Sequence, residues 1–109
     1  HDALPIFDEA DTGVSGRVAQ AIAKKMLTIA ADSQVFAITH LPQVAAAATH
    51  HFLIAKTTEH DRTITQVSSL DESGRERAIA MMLSGDKVSK TALANAKDLR
   101  RQYTKGATK

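Results

Sequence analysis

Two short apolar runs with an amphipathic helix between them constrain this chain more than any other feature. Residues 3–7 are apolar and end in acids, and "QVFAI" at residues 34–38 is a second such run. From Arg17 to Ala31, Val18, Ile22, Met26 and Ile29/Ala30 recur at helical spacing with Lys24 and Lys25 off the stripe, which predicts a helix with one apolar face. Ser15 is its expected N-cap. Strand, helix and strand at this spacing imply a parallel, right-handed crossover between two buried strands. Pro5 weakens the early part of the first strand.

The remainder reads as alternating elements. "LPQVAAAA" predicts a short helix starting near Pro42, and "HHFLIAKTT" and "RTITQVSSL", joined by the polar "EHD", predict a hairpin. Ser73-Gly74-Arg75-Glu76 has the spacing of a capping box, opening a helix with Ile79, Met82 and Leu83 on its apolar face and Gly85 at its end. A last helix is expected from about Ser89 to Tyr103, with Leu93, Ala96 and Leu99 as its stripe. With one Tyr, three Phe and no Trp, the core must be built from Ala, Val, Ile and Leu. The absence of cysteine excludes disulfides and thiolate metal sites. No signal-peptide pattern and no bilayer-length apolar run occur, so the expectation is a cytoplasmic protein with no membrane partner. The formal charge of +2 is too small to argue for nucleic acid, and the basic run "KDLRRQYTKGATK" reads as a solvated helix end. His1-Asp2 runs almost directly into the first apolar run without an initiator Met, which leads us to expect a fragment: one partial domain over residues 1–109.

The chemistry concentrates in "LPIFDEADTGVSG", Leu4 to Gly16. A carboxylate pair at the C-terminal end of a buried parallel strand is what nucleotide hydrolysis needs, because one acid holds Mg²⁺ through its water shell while its neighbour orients or deprotonates the attacking water. Asp8 and Glu9 leave such a strand end in different directions and can divide those tasks. A solvated acidic turn explains the same letters more plainly. Asp8-Glu9-Ala10-Asp11 spells the helicase DEAD motif, yet the next strand leads into "ITHLPQV" rather than a Ser-Ala-Thr motif. A haloacid-dehalogenase phosphatase needs Asp-x-Asp-x-Thr, whereas Asp8-x-x-Asp11-Thr12 has one residue too many. His40 separates these readings. It lies just past the second strand, at the same expected sheet edge as Asp8 and Glu9, where an imidazole can hydrogen-bond a terminal phosphate and help hold the attacking water. A lone histidine is more often structural; one that ends the strand following an Asp-Glu strand is a joint signal.

Taken together, "LPIFDEADTGVSG", "VFAITHLPQVAAAATHHFLIAK" and "ALANAKDL" resemble the C-terminal part of the RecN family, in the SMC-like branch of the ABC ATPases. The resemblance implies that Asp8 and Glu9 are Walker B acids, with Asp8 holding Mg²⁺ through water and Glu9 catalytic. It implies that Asp11 to Gly16, with Gly13, Ser15 and Gly16, form the D-loop, and that His40 is the switch histidine. The implied fold is α/β: the C-terminal lobe of an ABC/SMC-type P-loop NTPase head, with parallel strands, a crossover helix, a hairpin and two C-terminal helices. The implied activity is ATP binding and hydrolysis in DNA double-strand-break repair. Implied partners are the N-terminal half of the same head, a second head that dimerises with ATP, and DNA through the full-length protein. A non-catalytic interaction module, or the head of another SMC-like ATPase, is the alternative. No Gly-x-x-x-x-Gly-Lys-[Ser/Thr] phosphate loop occurs in these 109 residues, so this stretch alone is expected to be inactive. "LSGD" at residues 83–86 imitates an ABC signature but closes a helix instead of opening one, and His50, His51 and His60 read as surface histidines flanking the hairpin rather than a metal site.

Overall fold

A computed structural model describes residues 6–8, 15–85 and 87–107. Along the chain run β1 (Ile6–Asp8), α1 (Gly16–Ala30), β2 (Phe36–Ile38), α2 (Pro42–Ala47), β3 (Phe52–Glu59), β4 (Arg62–Ser69), α3 (Glu72–Ser84) and α4 (Lys90–Ala107). The molecule is therefore a mixed helix and strand fold.

β1 and β2 pair in parallel, with Ile6 opposite Phe36, Phe7 opposite Ala37 and Asp8 opposite Ile38. The expected parallel pairing is present, but β2 is not a buried strand. Ala37 packs toward α1 and α2, whereas Phe36 and Ile38 are 46% and 42% exposed. Successive strand residues face opposite sides, and among the described residues helices cover only the Ala37 side. Residues 3–5 of the predicted first strand lie outside the described residues.

α1 begins where Ser15 accepts a hydrogen bond from the Val18 amide at 3.4 Å. Its buried face is Ala19 and Ala23, flanked by half-buried Ile22 and Met26. Val18, expected on the stripe, is largely exposed. At its start the buried face departs from the expected stripe, because the small Ala19 and Ala23 side chains admit α2 to close approach.

α2 starts at Pro42, whose fixed φ and missing N–H suit a first helical turn. It lies between two small cores. Leu41 and Val44 join Ala19 and Ala23 on one side, while Ala45 and Ala46 join Ile79, Ala80, Ala92 and Ala96 on the other. Half-buried Tyr103 touches both.

β3 and β4 form an antiparallel hairpin closed by His60 and Asp61, both at positive φ (50° and 64°), as a two-residue turn between twisted strands requires. Every residue of both strands is exposed.

α3 departs from the expected capping box. Asp71 is the N-cap, its Oδ1 accepting from the Gly74 amide at 2.8 Å, and Ser73 lies inside the first turn. An aspartate one residue before the helix supplies both the cap oxygen and a negative charge at the positive end of the helix dipole. Ala80 joins Ile79 in the core and Leu83 turns outward. Gly85 ends the helix at φ 98°, its amide donating to the Met81 carbonyl, as the C-cap reading expected. α4 starts one residue after Ser89, whose hydroxyl accepts from the Ala92 amide at 3.0 Å, and it runs past Tyr103.

The cap assignment has a direct test. Asp71→Ala should lower stability by about 1 kcal/mol while Ser73→Ala changes it by only a few tenths, read as the shift in urea midpoint. The opposite ranking would restore the capping box.

Candidate functional site

Parallel pairing decides what meets at the C-terminal edge of the β1–β2 sheet. Asp8 is the last residue of β1 and is in register with Ile38, the last residue of β2. Thr39 and His40 follow at that same edge. The start of α1 lies close by: a Cβ placed on Gly16 would come within 3.4 Å of Gln43 Nε2, in the first turn of α2. The sequence positions of Asp8, Gly16 and His40 are thus gathered at one end of the fold. Ser15 is there too, exposed and engaged as the cap of α1. Glu9, Asp11 and Gly13 lie outside the described residues.

His40 is exposed but its backbone is well anchored. Thr39 Oγ1 accepts from the Leu41 amide at 2.9 Å, and Leu41 is buried against α1. The imidazole is therefore presented to solvent from a fixed turn, able to donate or accept a hydrogen bond. Among the described residues, no group of three or more His, Asp or Glu side chains is gathered to hold a metal ion.

The most elaborate polar arrangement lies at the other end of α2. Arg75 is a buried charged residue at 5% exposure, extending from α3. Its Nη2 donates to the carbonyls of Ala45 (3.1 Å) and Ala48 (2.6 Å), and its Nη1 to that of Thr49 (3.1 Å). Arg100, from α4, donates through Nη1 to the Ala46 carbonyl at 2.7 Å and through Nε and Nη2 to both carboxylate oxygens of Glu72, each at 2.8 Å. The Glu72 carboxyl is held below its ordinary pKa by this hydrogen-bonded Arg100. Arg100 thus corrects the reading of its basic run as a solvated helix end, whereas Arg101 beside it does stay exposed and pairs with Asp98. The sequence reading assigned Arg75 and Arg100 no special role, yet their spacing carried a signal. Arg75 falls on one stripe with Ile79 and Met82, and Arg100 on one with Ala92, Ala96 and Tyr103, so each is a cation on an apolar face. A charged groove lined by Glu72, Glu76, Lys97, Arg100, Arg101 and Thr104 belongs to this α3–α4 side and not to the sheet edge.

His51, just beyond α2, has a buried Nδ1 with no hydrogen-bond partner among the described residues. Burial lowers its pKa from the ordinary 6.5, and the charges of Arg75 and Arg100 lower it further.

Comparison with known proteins places this geometry in context. No protein-family model matches the chain. It is similar to the DNA repair protein RecN of Bacillus subtilis, 50% identical over 97 residues, which covers 89% of this chain and 17% of that protein. RecN of Deinococcus radiodurans is 42% identical over 94 residues, covering 86% of this chain and 16% of that protein. RecN of Vibrio cholerae is 40% identical over 94 residues, covering 86% and 17%. The chain spans about a sixth of the length of the curated relatives it matches. Among the described residues, no helix is long and apolar enough to cross a membrane.

The environment of His51 sets a pH dependence. Because the folded state disfavours the imidazolium, the associated stability is fully present above pH 6.5 and is lost as the pH falls below it toward the lowered folded value. Urea midpoints measured at pH 8 and pH 5.5 should fall on acidification, and His51→Leu should flatten that fall. An unchanged pH dependence in the variant would contradict the assignment.

Proposed function

We propose, on the premise that this chain belongs to the RecN family of DNA repair proteins and forms a segment of one, that it supplies the water-activating half of an ATP-hydrolysing site. The observation that supports this reading is the parallel register of β1 and β2, which puts Asp8 at the end of β1 and His40 two residues past the end of β2 at one sheet edge. A phosphate group at that edge would meet a carboxylate-bearing strand end and an exposed imidazole together.

The roles follow from the chemistry of each group. Asp8 and Glu9 are hard oxygen donors next to each other, a donor set that fits Mg²⁺ better than a transition metal. Asp8 would hold the ion through its water shell, and the ion, when bound, would offset the negative charge of the phosphates. Glu9 orients and deprotonates the attacking water. His40 donates a hydrogen bond to the terminal phosphate. Residues 11–16, including Asp11, Gly13, Ser15 and Gly16, form the segment that faces a second head, and ATP draws the two heads together. DNA is engaged by the full-length protein in double-strand-break repair.

The rest of the same head is the nearest partner. Phe36 and Ile38 leave one side of β2 partly open, and covering the roughly half of each side chain still exposed contributes about 1 kcal/mol each. That side is where the remaining half of an ABC-type head would pack, bringing the phosphate loop that residues 1–109 do not contain.

Two measurements test the reading. In a RecN-length protein carrying this segment, Glu9→Gln should retain ATP binding and lose hydrolysis by about two to four orders of magnitude, while Asp8→Asn should weaken Mg²⁺-dependent binding itself. Equal loss of binding in both would contradict the division of roles. The 109-residue chain by itself should show no turnover above that of its own Glu9→Ala variant, because nothing in it positions the nucleotide.

A further inference from the structure

Resting on the ATP-site reading of His40, we propose that Arg75 and Arg100 are positioning residues for that histidine, acting from the opposite end of α2. The backbone of His40 is set from two directions. Before it, β2 is held in register with β1. After it, Leu41 is buried and α2 begins at once at Pro42.

α2 has six residues, fewer than a helix needs to persist without its neighbours. What fixes its direction is therefore outside it. Arg75 gathers the carbonyls of Ala45, Ala48 and Thr49, and Arg100 takes that of Ala46. Glu72 accepts from Nε and Nη2 of Arg100, which fixes the guanidinium plane and leaves Nη1 directed at Ala46. A six-residue helix is about 9 Å long, so movement at its carbonyl end tilts the whole rod and displaces the turn that presents His40. Displacements of about 1 Å at a reacting centre can cost up to 10²-fold in rate. The two arginines come from α3 and α4, so the last two helices of the chain set the position of a residue at the sheet edge through the carbonyl end of α2.

The experiment uses a RecN-length protein containing this segment and compares ATP turnover of His40→Ala, Arg100→Gln, Arg100→Lys, Glu72→Gln and the double variant His40→Ala/Arg100→Gln. Arg100→Gln should lower kcat about tenfold with little change in KM for ATP, because the nucleotide contacts themselves stay intact. Arg100→Lys keeps one donor for Ala46 and should recover part of the loss. The double variant should be no slower than His40→Ala alone, the non-additivity expected of two residues acting through one group. Glu72→Gln, at a largely exposed side chain, carries the same test should Arg100→Gln fold poorly in a thermal melt. If Arg100→Gln and Glu72→Gln keep wild-type kcat while His40→Ala does not, or if the losses add, the positioning role is overturned and the ATP-site reading stands. If His40→Ala is fully active, the ATP-site reading falls and takes this inference with it.

Discussion

The C-terminal end of one short helix is the joint on which the rest of this structure depends. The last carbonyls of any helix lack partners within it, and at the end of α2 those groups are turned into the protein, where leaving them bare costs about 1–3 kcal/mol apiece. Arg75 and Arg100 supply the donors. Their charge complements the negative end of the helix dipole, so hydrogen bonding and electrostatics act in the same direction. α2 packs against α1 on one side and against α3 and α4 on the other. α1, with the β1–β2 pair it connects, and the α3–α4 pair are held together through it.

The apolar core explains why a polar joint is needed. On the α3–α4 side of α2 it consists of Ala45, Ala46, Ala80, Ala92 and Ala96, with Ile79 the largest fully buried side chain among the described residues. Alanines let helices approach closely, and each loses little side-chain entropy, but each also removes little apolar area from water. Tyr103 compensates by reaching both clusters, and burial raises the pKa of its phenol. A thin core of small residues leaves the relative placement of helices weakly specified, and directional hydrogen bonds from two guanidinium groups specify it.

Legibility in the sequence followed the range of the forces involved. The Ser15 cap, the hairpin over residues 52–69 and the Gly85 stop were readable because each depends on local pattern or turn chemistry, and the parallel β1–β2 pairing because a helix between two short apolar runs implies a parallel crossover. The cap of α3 was misread by two residues, since Ser73 and Asp71 both carry a capping oxygen and only the path of the chain selects between them. On α1 the expected stripe holds at Ile22 and Met26, and only Val18 departs, because packing selected the smaller Ala19 beside it. Arg75 and Arg100 act on carbonyls 26 to 54 residues away in sequence; their place on apolar helix faces marks them as buried cations, but no local pattern names their partners. Of the candidate site, the sheet edge bearing Asp8 and His40 was legible from strand order; the grip that holds α2 behind it was not.

β2 and the β3–β4 hairpin both expose apolar side chains. A two-stranded hairpin by itself is marginal in water, yet β3 and β4 present Phe52, Leu53, Ile54, Ile64 and Val67 to solvent, and β2 presents Phe36 and Ile38. Among the described residues the helices leave Val18, Leu27, Met81 and Leu83 exposed as single side chains, while the hairpin exposes its apolar residues together. Strands with apolar residues this exposed are suited to being covered by further polypeptide. Relatives about five times the length of this chain have that polypeptide to give. On the proposed reading the sheet edge with Asp8 and His40 then becomes the wall between two lobes, and the α2 joint holds one side of it in place while the other side closes.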